Sequence, residues 1–269
     1  MCGVFGIRAP ERDVARVTFF GLFALQHRGQ ESAGIAVSDA GRLTVLRDMG
    51  LVAQVFDEQN LSGLQGEVAI GHTRYSTTGS TQWTNAQPIV QHGRTRTVTL
   101  GHNGNLTNTQ ELRDALAADD VALSTTSDTE VIAALIANDP APLGEAVANT
   151  MARLEGAYTI VALAEGKLIG FRDPYGFRPL NLGSIDGDPV LASETCALDL
   201  VGADHTREIA PGELVLIDEE GVHSAQAVPQ AGAGALCLFE FIYLARPEDR
   251  KSTRLNSSHV RLSRMPSSA

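Results

Sequence analysis

The most reactive group near the start of this sequence is a cysteine at the second position. Cys2 follows Met1 directly and precedes Gly3. Removal of Met1 would leave a thiol and a free α-amine on one residue, and in N-terminal nucleophiles that amine activates the attacking group. An α-amine titrates at about 7.7–8.0 and a cysteine thiol at about 8.5, so both groups can act near neutral pH. The alternative is that Cys2 is an ordinary small residue near a frayed terminus.

Four polar segments could complete such a site. They are residues 27–34 (HRGQESAG), 71–79 (GHTRYSTTG), 101–106 (GHNGNL) and 127–130 (SDTE). Each follows or precedes a predicted strand or helix, and binding residues concentrate on loops that a scaffold holds in place. The histidines in these segments have no cysteine or carboxylate at zinc spacing, so we predict no metal site from them.

Each segment also has a purely structural interpretation. Asn103-Gly104 is typical of a turn. Asp128 could favour a helix N-terminus through the macrodipole. Arg74 could be one half of a surface salt bridge of little consequence. Taken singly, none of these residues decides between structure and chemistry.

The elements that must position these segments fall into three blocks. The first block contains predicted strands at 34–39, 42–48, 67–73 and 96–101. The last block contains predicted strands at 158–164, 167–172, 189–193, 213–217 and 222–225. Helical patterns cover 11–25, 108–118 and 143–154, and a capping-box pattern at 127–130 starts another helix before the apolar run 131–137. This order predicts an α+β fold in which helices cover mixed antiparallel sheets.

Composition excludes several classes of protein. The chain has 269 residues, 43% of them hydrophobic, and no apolar run near the roughly 20 residues of a membrane span. Its net charge of −11 argues against nucleic acid as a main partner. Three scattered cysteines and no secretory signal pattern predict a reducing, cytoplasmic setting.

In combination, the N-terminal cysteine and the four segments resemble the class II glutamine amidotransferases. The resemblance covers about residues 2–250. It implies the N-terminal nucleophile (Ntn) hydrolase fold, a four-layer αββα sandwich with two antiparallel sheets between helices. Residues 251–269 hold six serines and four cations without an acid, and we expect a disordered or artefactual tail there.

Further motifs resemble the amidophosphoribosyltransferase branch of that family. They are residues 27–32 (HRGQES), 172–180 (RDPYGFRPL), 193–199 (SETCALD) and 239–247 (FEFIYLARP). The resemblance implies that ammonia from glutamine is used with phosphoribosyl diphosphate to make phosphoribosylamine, the committed step of purine biosynthesis. A glucosamine-6-phosphate synthase would carry an aromatic–Asp pair at Gln30-Glu31.

The resemblance also implies a role for each residue of the nucleophile's surroundings. Cys2 would attack the side-chain amide carbon of glutamine, and its own α-amine would pass the proton to the departing ammonia. The side-chain amide of Asn103 and the backbone N–H of Gly104 would form the oxyanion hole. Losing one such donor typically costs about 10²–10³-fold in rate.

Substrate contacts follow from the same resemblance. Arg74 would bind the α-carboxylate of glutamine and Asp128 its α-ammonium, because a free amino acid presents both charges. Tyr75, Ser76 and Thr77 begin a hydroxyl-rich loop, residues 75–80, which we expect to close over the substrate. The sequence does not assign a chemical step to Arg28.

The last predictions concern parts beyond the glutaminase site. Cys237 would be one of four ligands of a [4Fe–4S] cluster in the iron–sulfur branch, although an apolar strand residue is the alternative. The phosphoribosyltransferase domain, with its Mg²⁺, is expected to be absent, and the full-length enzymes form homo-oligomers. Two other functions stay open, a non-catalytic assembly or regulatory module and a glutaminase serving another acceptor such as a sugar phosphate.

Overall fold

Two antiparallel sheets form the centre of the protein. The computed structural model describes residues 1–75, 82–232, 234–235 and 237–238. Thirteen strands lie within these ranges: β1 Gly3–Arg8, β2 Ser32–Asp39, β3 Arg42–Met49, β4 Val68–Arg74, β5 Ile89–His92, β6 Thr97–Leu106, β7 Gly156–Ala164, β8 Lys167–Arg172, β9 Asn181–Ile185, β10 Asp188–Ala192, β11 Asp204–Glu208, β12 Glu213–Asp218 and β13 Gly221–Gln226. The first sheet has the order β11-β9-β10-β1-β4-β2-β3, and the second has the order β13-β12-β8-β7-β6-β5.

Helices cover the outer face of each sheet. The described residues form seven α-helices: α1 Val14–Ala24, α2 Val52–Val55, α3 Glu58–Ser62, α4 Thr109–Ala118, α5 Asp128–Asn138, α6 Leu143–Met151 and α7 Thr195–Val201. α1, α2, α3 and α7 pack on the first sheet, and α4, α5 and α6 pack on the second. No helix within the described ranges has both the length and the apolarity that crossing a bilayer requires.

Three apolar cores separate the four layers. One lies under each helical layer. The third lies between the sheets and includes Val4 and Ile70 of the first sheet with Val161 and Val215 of the second. Because side chains alternate along a strand, every second residue of β1, β4 and β6 faces this middle layer. The site described below lies at one end of it.

The start of α5 shows how local sequence sets an element boundary. Ser127 is the N-cap, and its hydroxyl accepts a hydrogen bond from the backbone N–H of Thr129 at 3.1 Å. The expected helix start is therefore confirmed. The reciprocal half of the predicted capping box is wrong, because the Glu130 carboxylate accepts hydrogen bonds from the N–H and hydroxyl groups of Ser124 and Thr125.

Two differences from the sequence-based expectation matter for the site. The strand predicted over 96–101 continues as β6 to Leu106, so Asn103-Gly104 lies inside a strand and the turn interpretation is wrong. β1 was not predicted, although it is the strand that follows Cys2. A segment of six residues that is almost wholly buried shows no alternation of polar and apolar residues, so its sequence carries little strand signal.

Candidate active site

Cys2 lies at the start of β1, near the middle of the first sheet. β1 pairs with β10 on one side and with β4 on the other. The β1–β4 register matches Gly3 with Thr73. One residue earlier, Cys2 therefore lies opposite Arg74, and alternation turns its side chain toward the middle layer that also contains Val4. Cys2 is buried.

Asn103 of β6 joins the second sheet to this cysteine. Its side-chain Oδ1 accepts a hydrogen bond from the backbone N–H of Cys2 at 3.1 Å. The Asn103 side chain is fully buried, and its Nδ2 has no hydrogen-bond partner among the described residues. A buried donor without a partner is costly, at about 1–3 kcal/mol. The arrangement therefore leaves the Asn103 amide group beside Cys2 with hydrogen-bond donor capacity that no described residue uses.

The backbone of Gly104 lies on an open edge of β6. The N–H of His102 donates to Gln87 Oε1 at 2.7 Å, and the N–H of Leu106 donates to Asp128 Oδ2 at 3.1 Å. Both bonds point away from β7, and N–H directions alternate along a strand of an antiparallel pair. The N–H of Gly104, midway between them, therefore points to the same open edge. Asn103 and Gly104 thus offer two neighbouring donors.

Gly104 cannot be replaced by a larger residue without disturbing β6. A Cβ at this position would lie 2.0 Å from the carbonyl oxygen of Ala157 on β7 and 2.6 Å from His102 Nε2. This close approach requires glycine.

The Cys2 thiol is held in an environment that favours its protonated form. Sγ lies 3.8 Å from the carbonyl oxygen of Tyr75. Burial raises the pKa of the Cys2 thiol, and the positive N-terminus, the Tyr75 carbonyl contact, Arg74 and Arg28 only partly oppose that effect. A thiol with a raised pKa needs a base close by before it can attack, because the thiolate is the nucleophile.

A buried ion pair holds the backbone of Cys2. Arg28 Nε donates to the Cys2 carbonyl oxygen at 2.9 Å, and Arg28 Nη1 is bonded to Glu194. His27 Nε2 lies 3.1 Å from the same carboxylate. Burial alone would raise the pKa of Glu194, but the hydrogen bond from His27 and the charge of Arg28 outweigh it and lower this pKa to about 2. Arg28 thus holds the backbone of Cys2 in place.

Sequence reasoning missed Glu194. It was noted only as part of the motif 193–199, and it lies 166 residues from Arg28 along the chain. It precedes α7 and is almost fully buried. A buried acid next to a helix start has no distinguishing local pattern, so only the tertiary contact identifies it.

Arg74 is buried at the end of β4 and is not a surface residue. Its guanidinium is paired with the Glu31 carboxylate, and the two side chains are 7% and 15% exposed. The N–H of Glu31 also donates to the Arg74 carbonyl oxygen at 3.1 Å. The alternative of a surface salt bridge is therefore wrong in location, because the Arg74–Glu31 pair is buried.

Asp128 is the first residue of α5 and faces the open edge of β6. Its Oδ1 lies 3.5 Å from His102 Nδ1, and its Oδ2 accepts the Leu106 N–H. Burial would raise the pKa of Asp128, but His102 and the backbone hydrogen bonds outweigh it and lower that pKa. Asp128 therefore carries a negative charge next to Gly104.

His72 is structural. Its Nε2 lies 3.1 Å from the carbonyl oxygen of His102, which fixes the tautomer with the proton on Nε2. Burial lowers the pKa of His72 to about 3, so the ring is neutral at physiological pH. The bond ties β4 to β6 across the middle layer.

The remaining predicted site residues are Tyr75, Ser76, Thr77 and Cys237. Tyr75 is 49% exposed, and only its carbonyl contacts Cys2. Ser76 and Thr77 lie outside the described residues, as does most of the predicted loop 75–80. Cys237 is partly exposed, and the described residues contain no group of three or more histidines, cysteines and acids that could hold a metal ion.

Comparison with known proteins gives a consistent family. Residues 72–200 match a family described as a glutamine amidotransferase domain. The amidophosphoribosyltransferase of Mycobacterium bovis is 48% identical over 98% of this chain and 51% of its own length. That of a Synechocystis species is 50% identical over 92% of this chain and 51% of its own length. The structure of glutamine phosphoribosylpyrophosphate amidotransferase from B. subtilis, complexed with ADP and GMP, matches with a TM-score of 0.83 at 40% identity, covering 92% of this chain and 54% of that one.

The fold and these matches make this chain similar to class II glutamine amidotransferase domains, and its two antiparallel sheets between helical layers have the arrangement of the Ntn-hydrolase sandwich. Within the class, the chain is similar over nearly its whole length to amidophosphoribosyltransferases. It spans about half the length of the curated relatives it matches. The family resemblance and the four-layer α+β fold predicted from the sequence are confirmed.

Proposed function

We propose that this chain hydrolyses glutamine and is the glutaminase half of an amidophosphoribosyltransferase. The observation that supports this most directly is the pair formed by Cys2 and Asn103. Asn103 Oδ1 accepts the Cys2 N–H, while Asn103 Nδ2 is buried and has no partner within the part of the chain that the structure describes. This is the geometry that a thiol nucleophile with a preorganised oxyanion donor requires.

The first half of the reaction forms a thioester. After Met1 is removed, the Cys2 α-amine takes the thiol proton, and Sγ attacks the side-chain amide carbon of glutamine. The negative charge that develops on the amide oxygen is stabilised by Asn103 Nδ2 and the Gly104 N–H. Collapse of this intermediate breaks the carbon–nitrogen bond, and the α-ammonium returns its proton to the departing ammonia.

The second half regenerates the enzyme. Water attacks the glutamyl thioester, passes a proton to the Cys2 amine, and forms a second oxyanion at the same two donors. Expulsion of the thiolate releases glutamate, and the proton on the amine restores the thiol.

Arg74 and Asp128 provide the charges that recognise the ends of glutamine. Arg74 carries the positive charge opposite Cys2, and Asp128 carries the negative charge beside Gly104. We propose that they bind the α-carboxylate and the α-ammonium respectively, with Tyr75, Ser76 and Thr77 contributing to the same pocket. Both charges already have partners inside the protein, namely Glu31 and His102, and these partners hold them in place before substrate arrives.

The ammonia is proposed to serve phosphoribosylamine synthesis from phosphoribosyl diphosphate. The relatives of known name are amidophosphoribosyltransferases of about twice this length. We therefore propose that residues 2–250 are the glutaminase domain, and that a phosphoribosyltransferase domain with its Mg²⁺ supplies the acceptor in a cytoplasmic homo-oligomer. Residues 251–269 are proposed to lie outside the domain.

A [4Fe–4S] cluster is not required by this reaction. Such a cluster needs four thiolate ligands, and Cys237 would supply one. The described residues contain no group of three or more potential ligands that could hold a metal ion. The described residues therefore do not by themselves fit a cluster. The proposal that Cys237 is one ligand depends on three thiolates from elsewhere, and no step above uses it.

Ammonia release tests the proposal. The chain is purified, intact-mass spectrometry establishes whether Met1 has been removed, and the processed protein is mixed with glutamine. We expect ammonia and glutamate in equal amounts from the wild type, and none above background from a Cys2→Ala variant. Equal ammonia from both proteins, or none from the processed wild type, would overturn the proposal and favour a non-catalytic module. Supplying isolated acceptor domains then distinguishes phosphoribosyl diphosphate from a sugar phosphate.

A further inference from the structure

The edge of β6 that presents Gly104 is open because β5 stops early. β5 pairs with β6 from Ile89 opposite Leu100 to His92 opposite Thr97. Extending this register by two residues would place Gln87 opposite His102. Pro88 lies between Gln87 and the first paired residue of β5. The β5–β6 ladder stops at Ile89, and beyond it β6 has no strand partner on this side among the residues that the structure describes.

The side chain of Gln87 takes the place of that missing neighbour. Its Oε1 accepts the His102 N–H at 2.7 Å, and its Nε2 donates to the Thr129 hydroxyl at 3.0 Å. Gln87 is 5% exposed, so both bonds are shielded from water. One amide thus satisfies a strand N–H and ties that strand to the first turn of α5.

Gln87 is itself held from the opposite sheet. A Cβ added at Gly34 of β2 would lie 2.1 Å from the Gln87 carbonyl oxygen and 2.9 Å from Pro88 Cδ. Because of this close contact, the backbone of Gln87 cannot move toward the first sheet. The amide is therefore fixed between β2 on one side and β6 with α5 on the other.

The position of Gln87 affects the direction of the Gly104 backbone N–H. Along the open edge, the N–H of His102 is used by Gln87 and that of Leu106 is used by Asp128. The N–H of Gly104 is the one between them. The two flanking bonds set the direction of this N–H, because they fix the strand on both sides of it.

We propose that Gln87 is a positioning residue of the oxyanion hole, which holds the open edge of β6 so that the Gly104 N–H points at the reacting amide oxygen. This inference rests on the proposed function and extends it to a residue that touches neither the thiol nor the substrate. It predicts that Gln87 acts on the chemical step and not on substrate affinity.

The experiment compares Gln87→Met with Gln87→Glu and with Gln91→Met on β5. Methionine keeps the length of the side chain but cannot accept the His102 N–H well, whereas glutamate keeps the acceptor. We expect Gln87→Met to lower kcat for glutamine hydrolysis by about 10- to 100-fold, less than the ~10²–10³-fold loss of a deleted donor. KM should stay within about threefold, because Arg74 and Asp128 are unchanged. Gln87→Glu should recover most of kcat, and Gln91→Met should match the wild type.

A measurement independent of turnover separates this proposal from the proposed function. Amide hydrogen exchange, resolved by residue, should show the His102 N–H protected in the wild type and about tenfold less protected in Gln87→Met, the effect of losing about one hydrogen bond. Unchanged exchange at His102, or a folded and active Gln87→Met with wild-type kcat, would overturn the inference. An inactive wild type with the expected exchange pattern would overturn the function alone.

A second variant covers the case in which Gln87→Met does not fold. Gly34→Ala pushes on the Gln87 backbone from the first sheet without altering the amide. We expect it to lower kcat in the same way as Gln87→Met, with KM again little changed. A folded Gly34→Ala that keeps wild-type kcat would also count against the inference.

Discussion

The two ends of the middle layer both carry polar side chains. They differ in whether the hydrogen-bonding groups of those side chains have partners in the protein. At the end away from Cys2, four hairpins from both sheets enclose a cavity of about 800 Å³. Each Arg or Lys side chain that lines it has a carboxylate partner, in the pairs Arg8–Glu67, Arg96–Glu165 and Lys167–Asp218. At the Cys2 end, a thiol lies beside a buried amide donor for which the described residues provide no partner.

This difference shows that cavity volume alone does not identify the candidate active site at Cys2. The far end, which we call the distal cavity, offers space but no uncommitted donor among the groups just named. The Cys2 end offers a thiol and, in Asn103 Nδ2, a buried donor without a partner among the described residues. Unused hydrogen-bonding capacity in a buried place is costly, so its presence indicates a ligand.

The largest effect should come from the nucleophile. We expect Cys2→Ala to abolish glutamine hydrolysis, because no other group can form the thioester. In the distal cavity, Lys167→Met should leave the rate unchanged. Both rates are measured by ammonia release. A large loss of activity in Lys167→Met would contradict the proposed difference between the Cys2 end and the distal cavity.

The next largest effect concerns stability. Glu194→Gln removes the carboxylate from a buried ion pair with Arg28, and breaking a buried pair in this way typically costs about 3–5 kcal/mol. Lys167→Met removes a pair in which the lysine is 36% exposed, and such pairs contribute at most about 1 kcal/mol. Urea unfolding of both variants measures the contrast. Similar losses in the free energy of unfolding would show that the Arg28–Glu194 pair stabilises the fold no more than the Lys167–Asp218 pair does.

A smaller effect is expected from the oxyanion donor. Asn103→Ala should lower kcat by about 10²–10³-fold, or about 2.7–4 kcal/mol of transition-state stabilisation. Asn105→Ala, an exposed asparagine on the same strand, is the matched control and should retain the wild-type rate. Steady-state kinetics on glutamine separates kcat from KM. If only KM changed in Asn103→Ala, the amide would bind the ground state and not the transition state.

The smallest of the four effects is a pH dependence. The pKa of His72 is about 3 in the folded protein and 6.5 when unperturbed, so the unfolded chain binds the extra proton first as the pH falls. Stability should therefore decrease below pH 6.5, by up to about 1.4 kcal/mol per pH unit and about 2 kcal/mol by pH 5. Glu194, with a pKa near 2, adds a loss only below its ordinary value of 4.5.

Unfolding midpoints between pH 7.5 and 5 check this expectation. His72→Gln keeps a side-chain N–H for the His102 carbonyl but does not titrate, so its stability should change less over the same interval. Equal slopes for the two proteins would assign the acid sensitivity to other groups.

Much of the architecture could be predicted because it depends on neighbouring residues. The hairpin of β2 and β3 and that of β7 and β8 follow from strand patterns around Ala40-Gly41 and Glu165-Gly166, and both are present. The start of α5 follows from Ser127. Asn103 and Gly104 were selected by motif, and the Asn103 side chain contacts Cys2, although their place inside a strand was not foreseen.

The sequence by itself determined which chemistry is available, since Cys2, the order of the polar segments and the family motifs can be read from residue types and short spacings. Only the tertiary structure decided how that chemistry is held. Glu194 meets Arg28 across 166 residues, and the Cys2 N–H meets Asn103 across 101. Gln87 acquires its position because β5 ends beside it and α5 begins opposite. Such contacts depend on strand order and register, which no local periodicity encodes, because they are fixed only when distant segments pack into the same layer.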